Sequence, residues 1–151
     1  MKTSFQTVPD TNILIASQNA SETSPNREYF DRWDKEEFVL LYCKDTLREY
    51  IRKLLEKDVP KKSVQKLTME ILILGKEVQI EYFHFPKYPA DPDDIPFLLC
   101  AENGEATHII TYDKHFEDLT EYCDFRICKP LEFLFELRAE LEKSKHRPRN
   151  P

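Results

Sequence analysis

Two rhythms of apolar and polar positions run along this chain. The continuously apolar run at residues 38–43 (FVLLYC) and the β-branched run at 108–111 (HIIT) are too short for helices and read as buried parallel strands, and residues 5–8 and 125–128 predict two more strands. Residues 78–85 alternate loosely and predict one more strand. Between these runs the apolar spacing changes to that of helices. Ser24-Pro25 marks a helix start, with Tyr29, Phe30 and Trp33 on one core-facing side and residues 17–26 before it as loop. Asp45 is placed to cap a helix with Leu47, Ile51, Leu54 and Leu55 in register. A second follows Pro60, carries Val64, Leu67, Ile71 and Leu74, and stops at Gly75. Asp93 or Asp94 would cap a helix through Pro96, Phe97, Leu98 and Ala101 that Asn103-Gly104 ends. Residues 114–119 form a short helix, and Pro130 opens the last, with Leu131, Leu134, Leu137 and Leu141 on one side.

Strands alternating with helices predict an α/β fold, a three-layer α/β/α sandwich around a central, mainly parallel sheet of about five strands. No repeat is visible. The chain of 151 residues is one domain's worth. Residues 1–142 are expected to form that domain, and residues 143–151 (KSKHRPRNP) a basic, disordered tail.

Composition narrows the class. Hydrophobic residues make up 40% and charged residues 33%, as in soluble globular proteins, and no apolar run approaches the roughly 20 residues of a membrane span. The first ten residues lack the apolar core of a signal peptide, so a cytoplasmic protein without membrane partners is expected. Cys43, Cys100, Cys123 and Cys128 contain no CxxC pair and read as reduced core residues. The net charge of −6 does not mark a nucleic-acid binder.

Carboxylates supply the candidate chemistry. In DPDDIPFLLCAENGEATHIITYDKHF, residues 91–116, three acids precede a helix and a strand that delivers Asp113 just beyond its end. Asp10 in VPDTNILI follows the first strand. Acids outside the carboxyl ends of parallel strands can converge on one point. Each pair of carboxylates about 4 Å apart repels by roughly 4 kcal/mol at an effective dielectric near 20. A divalent cation relieves that repulsion, and an all-oxygen set favours Mg²⁺ or Mn²⁺. On spacing alone Glu49 lies off the apolar stripe of its helix and reads as a solvated residue.

The ordered set VPDTNILI, DTLREYIRKLL, DPDDIPFLLCA, GEATHIITYDKHF and ICKPLEFL resembles the PIN-domain family, more narrowly the toxin components of toxin-antitoxin pairs. The resemblance covers nearly the whole chain. It implies a Mg²⁺- or Mn²⁺-dependent endoribonuclease with Asp10, Glu49, Asp94 and Asp113 as catalytic acids, so Glu49 is reassigned from solvent to the site. Asp10, Asp94 and Asp113 are the expected metal ligands, with Glu49 at a second metal or on the attacking water. Thr11, Asn12, Thr111 and Asp91 are expected to support them. The partners implied are RNA, a small cognate antitoxin and a second copy of the chain. The alternative is a PIN fold that binds RNA or protein with little catalysis. Two positions depart from the family pattern: Pro9 replaces an apolar strand residue, and Tyr112 stands where a smaller residue is usual, narrowing the cleft. A receiver-type phosphoacceptor domain would need an acid on a middle strand where residues 45–74 read as two helices. A haloacid-dehalogenase-like phosphatase would need an Asp where Asn12 stands.

Charge is segregated along the chain. Residues 44–66 hold eight basic residues against four acidic ones, a net +4, while acids crowd residues 91–94 and 117–124. That basic face, represented by Arg52, Lys53, Lys61 and Lys62, is expected to track an RNA backbone.

Overall fold

A computed structural model describes residues 2–146 of the chain. Five strands form one wholly parallel sheet in the order β3-β2-β1-β4-β5. They are β1 (Gln6–Pro9), β2 (Val39–Tyr42), β3 (Lys76–Glu77), β4 (His108–Ile110) and β5 (Arg126–Cys128). The helices are α1 (Thr11–Gln18), α2 (Pro25–Asp34), α3 (Lys44–Glu56), α4 (Lys61–Leu74), α5 (Ile95–Asn103) and α6 (Pro130–Lys145). With β1 in the centre, the chain builds outward to β2 and β3 on one side and to β4 and β5 on the other. The direction of strand addition therefore reverses between β1 and β4. A crevice opens at the carboxyl ends of strands at such a point.

Two helical layers close the sheet, as the alternating pattern predicts. On one face α2 and α6 pack Tyr29 and Phe133 against Phe5, Phe38 and the His108 ring, with ring centroids 4.9 to 5.9 Å apart. Glu28 of α2 and Arg138 of α6 pair at 2.7 Å across that layer. On the other face lies α5, supported by α3, where Tyr50 and Phe97 meet with centroids 5.7 Å apart. Gly104 ends α5 with no side chain because a Cβ there would stand 2.7 Å from Val78 and 2.9 Å from Leu41. The four cysteines are free, and Cys43, Cys100 and Cys128 are buried.

Local departures from expectation have physical causes. Residues 78–85 are not a strand: β3 is only Lys76–Glu77 at the sheet edge. The following backbone is held by Asn103 instead, whose Oδ1 accepts from the N–H groups of Glu81 and Tyr82, both at 2.8 Å. Helix α3 is capped by Cys43 with Thr46, whose hydroxyl accepts from the Cys43 N–H at 2.9 Å, and Asp45 stays exposed. Its buried stripe is Thr46, Tyr50 and Leu54; Leu47 and Ile51 are only half-buried and Leu55 is exposed. The short helix after Asp113 is a 3-10 stretch running on to Tyr122. Leu131 of the final helix is exposed, and Phe133 takes the inner position. Helix α6 continues to Lys145, so the basic tail expected from residue 143 begins within a helix, and residues 147–151 lie outside the described residues. Pro9 sits where its missing N–H is harmless, since the β2 ladder ends at Thr7 and on the β4 side the Asp10 N–H bonds the Ile110 carbonyl at 2.8 Å.

Candidate carboxylate site

Each candidate acid owes its place to an element end. Asp10 is the first residue past β1 and the N-cap position of α1; it is buried, and its side chain does not cap the helix. Thr111 and Asp113 follow β4, the parallel neighbour of β1. Asp94 ends a 3-10 turn (Pro92–Asp94) that feeds into α5. Its side chain makes no capping bond to α5, while Asp91 caps the preceding 3-10 turn by accepting from the Asp93 N–H at 2.9 Å. Asp93 is exposed.

A short chain of hydrogen bonds orders one side of the site. Thr111 donates from Oγ1 to Asp10 Oδ2 at 2.9 Å and accepts from the Asp113 N–H at the same distance. One threonine thus links the ends of both strands. Asp113 Oδ1 accepts from the His115 N–H at 2.8 Å and lies 3.1 Å from His115 Nδ1. Beneath them the Tyr50 hydroxyl donates to the Pro9 carbonyl, tying α3 to the end of β1.

The other side is left unsatisfied. Asp94 is only 7% exposed, and its Oδ2 is buried with no hydrogen-bond partner. Burial, then the charges of Asp10, Asp91 and Asp113, raise its carboxyl from the ordinary range to about 7. Asp10 is raised too, chiefly by burial, with Thr111 and the Thr11 backbone opposing and the charges of Asp113 and Asp91 adding. Thr11 Oγ1 is a second buried atom without a partner, beside Asp10. Buried polar atoms are nearly always paired; of the three orphans among the described residues Trp33 Nε1 is on α2, while Thr11 Oγ1 and Asp94 Oδ2 both attend Asp10 and mark a place prepared for something else. A hard cation fits the Asp94 orphan: the available donors are carboxylate and hydroxyl oxygens, and positive charge would oppose the like-charge repulsion that adds to burial in raising both carboxyls.

The predicted residues do not all converge. The charges of Asp91 and Asp113 act on Asp10 and Asp94, with Thr111 inside the set, Thr11 beside it and Asn12 exposed on α1. Glu49 is half-buried and held by Arg52 at 2.8 Å, and it is not among the principal charges acting on Asp10 or Asp94. Among the described residues no three His, Cys, Asp or Glu side chains are drawn together tightly enough to cage a metal by themselves. Arg52 also pairs with Glu56 at 2.9 Å and Lys53 with Glu56 at 3.8 Å, while Lys61 borders an apolar groove between α3 and α4. Sequence reading gave His115 and Tyr50 no part, although His115 contacts Asp113 and Tyr50 bonds the Pro9 carbonyl next to Asp10; His115 stands two residues past Asp113, the only signal available for it.

A known family matches most of the chain. A family profile described as PIN domain matches residues 6–115, which include all four predicted acids. Among solved structures the chain is similar to VapBC2 from Rickettsia felis, determined bound to a DNA fragment from its promoter, with a TM-score of 0.57 and 12% identity over 82% of this chain and 97% of that one. It is also similar to PAE2754 from Pyrobaculum aerophilum, with a TM-score of 0.59 and 15% identity over 92% of this chain and 99% of that one. A search of curated proteins found no match.

Proposed function

The chain belongs to the PIN-domain family, and on that premise we propose that it is a Mg²⁺- or Mn²⁺-dependent endoribonuclease, the toxin component of a toxin-antitoxin pair. The observation that carries this reading is the buried, unpartnered Oδ2 of Asp94 within electrostatic reach of Asp10 and Asp113 at the switch point of a parallel sheet. Asp10, Asp94 and Asp113 would hold the cation. When bound, it would supply a water of lowered pKa and neutralise charge on the phosphate oxygens.

The chain's own residues prepare the rest. Thr111 fixes the direction of the Asp10 carboxylate through the 2.9 Å bond to Oδ2. Thr11, next to Asp10, keeps its hydroxyl unbonded in the buried wall of the site. Without a cation Asp94 holds a proton near neutral pH, which removes one of the repelling charges. Glu49 joins the set only by releasing Arg52, so we assign it to the outer part of the site. RNA is the proposed substrate, with a small cognate antitoxin and a second copy of the chain as protein partners. No described helix is long and apolar enough to cross a membrane, and the proposed place of action is the cytoplasm.

The open spacing of the acids favours the alternative reading, a PIN fold that binds RNA or protein without turnover. Incubating the protein with single-stranded RNA, with and without Mn²⁺, decides between them: cleavage that requires the metal and is lost in Asp94→Asn supports the nuclease, and binding without cleavage under every metal condition overturns it.

A further inference from the structure

Two of the four free cysteines face each other where β2 runs into α3. Cys43 is the single residue between Tyr42, which ends β2, and Lys44, which opens α3. Cys100 lies on α5, on the face that also carries Phe97 and Gly104, three residues before it and four after. Phe97 meets Tyr50 of α3 with ring centroids 5.7 Å apart, and a Cβ at Gly104 would stand 2.9 Å from Leu41 of β2. Cys100, between these two contacts, is thereby aimed at the residue that joins β2 to α3. There the Cys100 thiol donates to the Cys43 sulfur, and both residues are buried.

Their surroundings divide the roles between them. As N-cap of the 13-residue α3, Cys43 accepts from the Thr46 N–H at the positive end of the helix. The bond from Cys100 and this backbone bond hold the Cys43 thiol below the ordinary range, against the pull of burial. Cys100 moves the other way, because it donates that bond and is itself buried. Burial also pushes Cys123 up to about 11 and Cys128 up to about 12. Cys43 is reachable as well: it lines a pocket of about 220 Å³ with Lys44 and Arg48 at the start of α3, room for several water-sized molecules.

We propose that Cys43 and Cys100 are a modification site, a dithiol that hydrogen peroxide oxidises to a disulfide within the chain. The Cys43 sulfur attacks one peroxide oxygen and the O–O bond breaks. That oxygen stays on sulfur as a sulfenic acid, and the other leaves as water with the proton that Cys43 gave up. The Cys100 sulfur then attacks the Cys43 sulfur. An S–S bond forms, the S–O bond breaks, and the hydroxyl departs with the Cys100 proton as a second water. Two electrons pass from the thiols to the peroxide. Thiols already in contact ask for little backbone movement. The bond would tie the end of β2 to α5, the helix that Asp94 leads into, and it forms whether or not the chain cuts RNA.

The test treats the full, reduced chain with a few equivalents of hydrogen peroxide, blocks the remaining thiols with N-ethylmaleimide and maps the peptides by mass spectrometry. The expected result is a loss of two hydrogens per chain and a cross-link between the Cys43 and Cys100 peptides that dithiothreitol reverses. Cys123→Ser and Cys128→Ser should keep the cross-link. In Cys100→Ser the sulfenic acid at Cys43 should persist and be trapped by dimedone, while Cys43→Ser should leave Cys100 a thiol. A measurement that needs no variant is alkylation of the unsubstituted protein by iodoacetamide, in which Cys43 should react about tenfold faster than the equally buried Cys128. Oxidation that begins at Cys123, a disulfide between chains in place of the internal one, or equal alkylation of Cys43 and Cys128 overturns the proposal.

Discussion

The carboxyl ends of β1 and β4 and the α3–α4 hairpin carry opposite charges, but the deeper difference is in how those charges are satisfied. On the hairpin each cation near an acid has found it: Arg52 lies between Glu49 and Glu56, Lys53 reaches Glu56, and Arg48 reaches Asp45 at 3.9 Å. Such pairs at the surface contribute little to stability and ask for no further partner. At the strand ends the like charges of Asp91 and Asp113 act on Asp10 and Asp94, the latter two are buried, and Asp94 Oδ2 has nothing to bond. Three of the four acids in residues 44–66 are matched by cations within that segment, whereas the acids at the strand ends face one another. Charge counted along the sequence drew attention to the hairpin; charge left unsatisfied in space draws it to the strand ends.

The largest expected effect tests that contrast directly. Asp10→Asn, Asp94→Asn and Asp113→Asn should each lower RNA cleavage by about 100-fold or more while leaving the circular dichroism spectrum intact. Any one that keeps most of its activity leaves the catalytic set. A second effect is on stability: a saturating cation at about 100 times its Kd should add roughly 2.7 kcal/mol, a rise in Tm of about 5–10 °C for a chain of this size, read by calorimetry with Mn²⁺ or Mg²⁺. Asp94→Asn should abolish most of that rise. If all three Asn variants kept it, the cation would bind elsewhere.

Thr111→Val should cost on the order of 1–3 kcal/mol, since it removes the donor to Asp10 and the acceptor for the Asp113 N–H. Activity should fall mostly in kcat, and denaturant melts beside initial rates would check both. A smaller effect follows from the raised carboxyl of Asp94. The folded protein holds that proton up to about 7, while the unfolded chain releases it near 4. The unfolded state therefore binds fewer protons across that window, so this group's contribution to stability falls as pH rises from about 4 to about 7 and levels off above. Without metal, Asp94→Asn should melt a few degrees above wild type at pH 8 and level with it near pH 4. A variant that melts lower at pH 8 would make the carboxylate a structural acceptor. The smallest effect belongs to the hairpin: Arg52→Gln, Lys53→Gln, Lys61→Gln and Lys62→Gln together should weaken RNA binding by less than about threefold and lower the salt slope by about one, because two of the four cations are already paired. A drop in slope near four would make the hairpin the track of the RNA backbone and erase the contrast.

Sequence by itself determined the strands and helices wherever one rule governed the local chain. The apolar runs became β1, β2, β4 and β5, Ser24 capped α2 through its bond from the Asn26 N–H, and the period of apolar residues placed α4 and α6. It failed where a distant partner decided the outcome. Residues 78–85 lost their strand to Asn103, a side chain more than twenty positions away, and α3 turned Tyr50 inward because the Pro9 carbonyl needed a donor that no spacing rule can see. The same division runs through the site. That acids follow two strands and open a helix is legible in order and type, and the ordered motifs carry the family. Which oxygen is left without a bond and that Glu49 is engaged by Arg52 are consequences of packing distant elements together. Hydrogen bonds and like-charge contacts between residues a hundred positions apart depend on distances that only the folded chain sets.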